Sequence, residues 1–182
     1  MRRVLTGTIS MALLVAAFQA AAVTAPASAA SACKRYGTDR PANLTPKHAR
    51  AAVSCLVNRK RKQNGRGHLR RDGRLVKAAS RHSTRMRSQG CFSHQCPGEG
   101  STLTRLKSVN YIVGGLSRWA YGENIAWGQG SRGTPKRIVK SWMRSSGHRA
   151  NILSGTFREL GAGYSRSGSR GFYTVDFGLR VR

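Results

Sequence analysis

Two of the five histidines in this sequence lie in settings that suit chemistry. His94 lies between Cys91 and Cys96, in a loop that a local disulfide would stiffen. His148 follows a predicted helix, within the segment Ser-Gly-His-Arg-Ala-Asn-Ile. A stapled loop and a helix end are both good places from which to present an imidazole, a proton carrier and metal ligand, to a shared cleft. These two residues are therefore candidate ligand-binding groups.

A third candidate is Glu123, one of only six acidic residues. It is flanked by apolar residues of a predicted strand, and in so basic a chain such an acid is expected to have a specific partner. The other histidines indicate no site. His48 and His68 lie in charged, solvated surroundings, and His82 falls on the apolar face of a predicted helix, which favours a hydrogen-bonded core residue over a ligand. Spacing alone leaves open whether Glu123 and the two candidate histidines meet.

Four predicted helices would position these groups, each recognised from a capping residue and from apolar side chains at three- and four-residue steps. The predicted helices run from Thr45-Pro46 to Gly65 or Gly67, from near Asp72 to Gly90, from Ser101, and from Thr134-Pro135 to Gly147. Their inward residues are Ala49, Ala52, Val53, Leu56 and Val57, then Leu75, Ala78, Ala79, His82 and Met86, then Leu103 and Leu106, then Ile138, Val139, Trp142 and Met143.

Three predicted strands complete the domain, over residues 122–127, about 160–165 and about 172–180. The last two are joined by the polar, glycine-bearing turn at residues 167–171, which is typical of a hairpin. Helices that come first and strands that come last predict an α+β domain with helices packed on an antiparallel sheet.

Four motifs in order resemble the CAP superfamily of cysteine-rich secretory, antigen 5 and pathogenesis-related proteins, and its short secreted bacterial members in particular. The motifs are Phe-Ser-His, Gly-Glu-Asn-Ile-Ala-Trp-Gly, Trp-Met followed after three residues by Gly-His-Arg-Ala-Asn-Ile-Leu, and Gly-Ala-Gly-Tyr. The resemblance covers about residues 50–178. It implies a three-layer α-β-α sandwich with a central antiparallel sheet and a cleft lined by two histidines and two acids.

By that resemblance the cleft residues are His94, Glu123 and His148, and the metal ligands are the two histidines, which bind zinc or another divalent ion in several members. The second acid would fall near residues 144–146, where this sequence has no carboxylate. Glu123 could orient a histidine or hold a metal-bound water. Because two protein ligands are fewer than the three usual for catalytic zinc, we expect weak, pH-dependent metal binding.

The first thirty residues resemble a secretory signal peptide. Arg2 and Arg3 precede an apolar run at residues 11–23, and small residues at 27–30 offer a cleavage site. The alternative is a retained anchor, against which the cleavage site argues. We therefore expect residues 1–30 to be a signal peptide, 31–44 a loose arm tied down by Cys33, and 45–182 the CAP-like domain of a secreted, extracellular protein without a transmembrane anchor in its mature form.

Four cysteines in an exported chain are typical of disulfides, and three pairings are possible. The pairs Cys33 with Cys55 and Cys91 with Cys96 are favoured because each is close in sequence. A structural metal site is the weaker interpretation, since the spacing from Cys91 to Cys96 is not that of a zinc knuckle.

The charge is extreme: 33 Lys and Arg stand against six Asp and Glu, for a formal net charge of +27. Such a chain is attracted to polyanions such as cell-wall polymers, anionic lipid headgroups or nucleic acid. The alternative is a solvated surface without a dedicated partner. The absence of a nucleic-acid motif and the few aromatic residues exclude sequence-specific nucleic-acid binding. The candidate polyanion-binding residues lie in the densest run of basic residues and are Arg59, Lys60, Arg61, Lys62, Arg70 and Arg71. We expect the protein to be a monomer.

Three functions remain open from the sequence. The first is an extracellular binding module that uses the cleft, and the second is a polyanion-binding protein. The third is a hydrolase with metal-activated water and Glu123 as base, or with Ser93, Ser145 or Ser146 as nucleophile. No Gly-x-Ser-x-Gly motif supports a serine nucleophile, and the missing second acid counts against hydrolysis. The sequence therefore favours a binding protein over an enzyme.

Overall fold

The computed structural model describes residues 27–182. All but the last four residues of the predicted signal peptide lie outside the described residues. Within the part that is described, no helix is long and apolar enough to cross a membrane.

Six α-helices and two short 3-10 helices are present in the described residues. The α-helices are α1 (Ala27–Tyr36), α2 (Pro46–Gln63), α3 (Gly73–Gln89), α4 (Thr102–Ser108), α5 (Pro135–Arg144) and α6 (Ser146–Leu153), and the 3-10 helices span Pro41–Asn43 and Gly130–Gly133.

A single four-stranded sheet lies at the centre, in the order β1-β3-β4-β2. The strands are β1 (Arg70–Arg71), β2 (Arg118–Gln129), β3 (Glu159–Ser167) and β4 (Arg170–Val181). The hairpin of β3 and β4 and the long β2–β4 pair are antiparallel, as the sequence predicts. The two-residue β1, which pairs with β3 in parallel, is an element that the hydrophobic pattern does not reveal.

Helices cover both faces of this sheet, so the predicted three-layer α-β-α sandwich is confirmed. On one face α3 packs so closely on β3 that a side chain at Gly161 or Gly163 would collide with the backbone of α3 at Leu75 or Ala79. The other face carries the largest buried cluster, in which Phe177 of β4 belongs together with Trp142 of α5. β2 is an edge strand: among the described residues its only partner strand is β4, and its other edge borders both faces of the sheet.

Capping side chains begin the first two predicted helices at the expected residues, and the expected glycine ends the second. Thr45 Oγ1 accepts a hydrogen bond from the backbone N of His48 at 3.2 Å. The Asp72 carboxylate accepts from the backbone N of Arg74 and of Leu75 at 2.8 and 3.2 Å. These bonds satisfy donors that a helix N-terminus otherwise leaves unpaired. Gly90 ends α3 with a left-handed φ of 62°, which favours glycine.

The segment 31–44 is not a loose arm, and this prediction is wrong. It contains the end of α1 and the 3-10 helix Pro41–Asn43, and its apolar residues Ala32 and Leu44 are buried. The carbonyl of Gly37 also accepts from the backbone N of Lys136 at 2.8 Å, which joins the segment to α5. Packing of α1 on α2, with Ala32 buried, orders a stretch that shows little periodicity in sequence.

Both favoured disulfides are present, and no cysteine of the described residues is free. Cys33–Cys55 joins α1 to α2, and Cys91–Cys96 closes the loop after α3, with Cα atoms 5.5 and 5.9 Å apart.

The sequence predicts that His148 follows the end of the fourth predicted helix, but this residue lies within a separate helix, α6. The chain becomes extended at Ser145, with φ −92° and ψ 125°, and this residue ends α5 and begins α6. The predicted inward residue Met143 is only half-buried, because the chain bends there. A Ser-Ser-Gly segment in sequence therefore marks a bend between two helices.

Arg61 is buried at 2% exposure, so its assignment to a polyanion-binding surface is wrong. Its guanidinium donates to the carbonyls of Gly67, Ile152 and Ser154 at 2.7, 2.7 and 2.8 Å. Burial lowers the pKa of Arg61, and the charges of Arg66 and Arg158 lower it further. The side chain joins the end of α2 to the carbonyls at the C-terminus of α6, where a cation is favoured.

Candidate functional site

Glu123 is the fixed centre of the candidate site that it forms with His94 and His148, here called the cleft. It lies on the edge strand β2, and only 3% of its side chain is exposed. Oε1 accepts from His94 Nδ1 at 2.7 Å and from Thr102 Oγ1 at 3.1 Å, and Oε2 accepts from Arg105 Nη2 at 2.5 Å. Burial raises the pKa of this carboxyl, but the hydrogen bond from His94 and the charge of Arg105 outweigh burial and hold the pKa below its usual value.

His94 reaches Glu123 from the disulfide-closed loop and still has 56% of its side chain exposed. An ionised carboxylate can only accept hydrogen bonds, so Nδ1 of His94 is the donor. In the neutral ring this leaves the lone pair on Nε2. The loop is held at its backbone too, because Arg105 Nη1 donates to the carbonyl of His94 at 2.8 Å.

His148 approaches the same edge from α6. Its Nδ1 lies 2.9 Å from Ser145 Oγ. Its carbonyl accepts from Asn124 Nδ2 at 3.0 Å, and Asn151 Nδ2 bonds both the carbonyl of Glu123 and Oδ1 of Asn124, at 3.2 and 2.9 Å. Burial lowers the pKa of His148, and the nearby His94 lowers it further, so the neutral ring is favoured.

The structure therefore brings together the three residues that the sequence singles out. His94 comes from the side of the sheet covered by α3 and α4, and His148 from the side covered by α5 and α6. Glu123 lies on the strand between them, and besides burial the charge of His94 acts on His148 to lower its pKa.

Arg105 is the main residue that the sequence analysis missed. It is 7% exposed and joins Glu123, the loop carbonyls of His94 and Gly100, and Thr102. Among 33 basic residues, nothing in its type or spacing marks it out. The available signal is its position on the inward face of the short helix α4, next to Leu106.

Two further carboxyls lie behind the cleft. Asp176 is fully buried in β4, in register with Glu123, and its oxygens make no hydrogen bond. Burial raises its pKa well above the usual value, and the negative charge of Glu123 acts in the same direction. Glu99 Oε1 lies 2.5 Å from Nδ1 of the buried His82, and burial lowers the pKa of this histidine. The prediction that His82 lies in the core is confirmed.

Comparison with known proteins decides the family. The sequence profile of the cysteine-rich secretory protein family, CAP, matches residues 56–177. The chain belongs to this family.

Relatives of the CAP domain occur in Bacillus subtilis. The uncharacterized protein YkwD is 38% identical over 154 residues, which is 85% of this chain and 55% of YkwD. The uncharacterized membrane protein YlbC is 30% identical over 122 residues, 67% of this chain and 32% of YlbC. The chain therefore spans about half the length of the first relative and about a third of the second.

Solved structures agree with the CAP fold. An extracellular protein containing a SCP domain from Bacillus anthracis has a TM-score of 0.62 and 28% identity, over 74% of this chain and 43% of that one. An outer surface protein of Borrelia burgdorferi has a TM-score of 0.61 and 19% identity, over 70% of this chain and 90% of that one. At that lower identity the likeness shows the fold alone.

Two ring nitrogens of this CAP domain are the candidate donors for a divalent cation. His94 and His148 each use Nδ1 in a hydrogen bond, which leaves Nε2 as the free ring nitrogen. The oxygens of Glu123 are taken up by its three partners. No group of three or more His, Cys, Asp or Glu side chains in residues 27–182 is arranged to hold a metal. Two imidazoles are one ligand short of the usual catalytic zinc set.

One of the serines considered as a nucleophile does contact a histidine. Ser145 Oγ meets Nδ1 of His148, three residues along the chain. Within the described residues no acidic side chain bonds either ring nitrogen of His148, so the third member of a nucleophilic triad is missing. This contact is a local one at the start of α6.

Proposed function

We propose that this chain is an extracellular binding module whose cleft at His94, Glu123 and His148 takes a ligand through the two Nε2 atoms. The observation that carries the proposal is the bond from the exposed His94 to the buried Glu123, which fixes the ring and directs the second nitrogen outward. A buried carboxylate that orients a histidine is the arrangement found behind metal-ligating histidines.

An extracellular setting is supported by three independent features. The sequence has a predicted signal peptide, and the fold contains two disulfides, which persist in oxidising compartments. The structurally similar Bacillus anthracis protein is described as extracellular.

A weakly held divalent cation is the proposed first ligand of the cleft. When bound, it would supply a Lewis acid that attracts an anionic or carbonyl group of a larger molecule. His94 and His148 would hold it, and Arg105 would keep Glu123 ionised and in position. The lowered pKa of His148 favours binding, because only the neutral ring coordinates a metal.

Aromatic rings next to the cleft support a larger ligand. Tyr121 lies two residues from Glu123 on the same face of β2 and is stacked with Trp119, with ring centroids 6.1 Å apart. Both rings are exposed, at 38% and 43%. Exposed aromatic residues beside polar ones are typical of interaction sites.

Titration calorimetry with Zn²⁺ on the oxidised protein near neutral pH tests this proposal. We expect one site, lost in His94→Ala and in His148→Ala and kept in His68→Ala, a matched change at an exposed histidine elsewhere. Absent binding, or binding that survives both cleft variants, would reject the metal and turn attention to other ligands of the cleft.

Polyanion binding is a second candidate, favoured by where the acids lie. Of the six acids, Asp72, Glu123, Glu159 and Asp176 are less than a tenth exposed, and the side chain of Glu99 is 8% exposed. Only Asp39 remains partly at the surface, so the exposed charge is almost entirely positive. Such a surface attracts polyanions such as acidic cell-wall polymers.

Without the buried Arg61, the candidate polyanion-binding residues are Arg59, Lys60, Lys62, Arg70 and Arg71. Arg70 Nη2 lies 3.0 Å from Glu159 Oε1, but 78% of the arginine side chain is exposed, so Arg70 stays accessible.

Polyglutamate is the probe that tests polyanion binding, and its binding should weaken steeply as the salt concentration rises. It should also weaken in Arg59→Glu/Lys62→Glu/Arg71→Glu, more than in a reversal of Lys136, Arg137 and Lys140 on α5. Binding indifferent to salt would reject this function.

A further inference from the structure

A concave surface lies on the side of the sheet covered by α3 and α4, and the cleft histidines do not line it. It is a groove of about 600 Å³ between these two helices and the glycine-bearing loop at residues 98–100. This volume lies in the range of small-molecule sites, roughly 300–1,000 Å³.

Two arginines of α3 form the rim of this groove. Arg81 and Arg85 both line it, and among the described residues neither guanidinium has an acidic partner. The acids nearest in sequence are engaged elsewhere, Asp72 with Arg74 and Glu99 with His82. Two unpaired planar guanidiniums on one helix, four residues apart, lie on the same face and suit a phosphate or carboxylate group.

The floor of the groove carries buried donors without partners. Arg105 is 7% exposed, and its Nε–H makes no hydrogen bond, although both terminal nitrogens do. The hydroxyl of Ser80 is also buried and unpaired. Unpaired buried polar groups are costly, so each calls for a reason, and an absent ligand is one such reason.

Hydroxyl groups cover much of the remaining wall. Thr84, Ser88, Thr104 and Ser108 line the groove. Glu99 is the single carboxylate of the lining, and its Oε1 is turned to His82 and to the backbone N of Cys96, at 2.5 and 3.0 Å. Arg105 is paired with Glu123, and its Nη1 lies 3.6 Å from Glu99 Oε1, so the positive charge of the groove comes from Arg81 and Arg85.

We infer that this groove binds a phosphorylated polyol or sugar. The phosphate contacts Arg81 and Arg85 at the rim and the free Nε–H of Arg105 below, and the hydroxyls of the ligand exchange hydrogen bonds with the serine and threonine walls. The site is separate from the cleft, although Arg105 contributes to both.

The test is a titration with glycerol 1-phosphate and with inorganic phosphate, at constant ionic strength set with sodium chloride. We expect saturable binding of one molecule, with glycerol phosphate the tighter ligand. Arg81→Gln or Arg85→Gln should weaken it about tenfold, since a hydrogen bond to a charged group is lost. Ser80→Ala, which leaves the charge unchanged, should weaken it about fivefold.

Two control variants distinguish binding in this groove from a general effect of charge and from binding in the cleft. Arg87→Gln removes the same charge from the same helix outside the groove, and binding should be unchanged. His94→Ala should bind glycerol phosphate normally, so failure of the cleft proposal leaves this inference standing. Equal losses in Arg85→Gln and Arg87→Gln, equal affinity for the two probes, or binding that never saturates would each overturn it.

Discussion

Nδ1 of His94 and Oε1 of Glu123 lie 2.7 Å apart, although the histidine side chain is 56% exposed and the glutamate only 3%. The hydrogen bond therefore joins a group at the protein surface to one anchored in the interior. The anchor is itself fixed, because Arg105 bonds the other oxygen of Glu123. Orientation of His94 thus depends on a buried ion pair rather than on the loop alone.

Removal of the negative charge of Glu123 should destabilise the fold. In Glu123→Gln the guanidinium of Arg105 keeps its buried charge without its main partner, which costs about 3 kcal/mol of unfolding free energy. Urea unfolding at neutral pH measures this loss. Asp39→Asn removes the same charge from a partly exposed site and should change stability by less than about 0.5 kcal/mol. Equal stability of the two variants would mean that Glu123 is not a buried anchor.

The two disulfides should have separable effects. Cys91→Ser/Cys96→Ser opens the loop that carries His94 and should lower the affinity of the cleft for Zn²⁺ about tenfold or more, as loss of a supporting contact does. Cys33→Ser/Cys55→Ser opens a link between α1 and α2 and should cost about 3 kcal/mol of stability, with the Zn²⁺ affinity of the folded protein unchanged. If both pairs of substitutions changed Zn²⁺ affinity alike, the loop would have no special role.

Much of the fold follows from local signals. Thr45 with Pro46, and Asp72 with Gly90, mark helix ends by capping chemistry that needs no tertiary contact. The features missed depend on residues far apart in sequence. Arg61 looks like one charge in a basic run, and its burial depends on carbonyls more than 90 residues away. Likewise α1 is ordered by packing rather than by its own pattern.

The site was only partly predictable for the same reason. His94, Glu123 and His148 stand out because they lie in recognisable motifs. Asp176 becomes part of the site only through the pairing of β2 with β4, which puts it opposite Glu123. Arg105 and Glu99 have no motif, and their roles follow from the packing of α4 and its preceding loop on the sheet.

Asp176 should make stability depend on pH. In the unfolded chain an aspartate titrates near pH 3.9, whereas in the fold burial and Glu123 raise its pKa. At this residue the folded protein therefore binds more protons above about pH 4, so the contribution of Asp176 to stability falls there as pH rises. Asp176→Asn does not titrate and should be more stable than the wild type at pH 7. The difference should vanish near pH 4 in urea unfolding. A constant difference across this range would contradict a raised pKa.

Arg61 should behave as a structural residue. Arg61→Gln removes donors to three carbonyls and should cost about 3 kcal/mol of unfolding free energy. Its neighbour Lys62 is exposed, and Lys62→Gln should be neutral in stability while it weakens polyglutamate binding. The same chemical change at adjacent positions thus separates structure from surface charge. A neutral effect of Arg61→Gln would restore Arg61 to the candidate binding surface.

The most direct test of the cleft is NMR of the imidazole nitrogens of His94 and His148, recorded at neutral pH before and after addition of Zn²⁺. In the neutral ring of His94 the proton should lie on Nδ1, and Zn²⁺ should shift the Nε2 resonance of both residues together. In Glu123→Gln the preference for that tautomer should weaken. A neutral His94 ring with its proton on Nε2, or Nε2 resonances that Zn²⁺ leaves unchanged, would contradict the proposal that Glu123 orients a ligand-binding histidine.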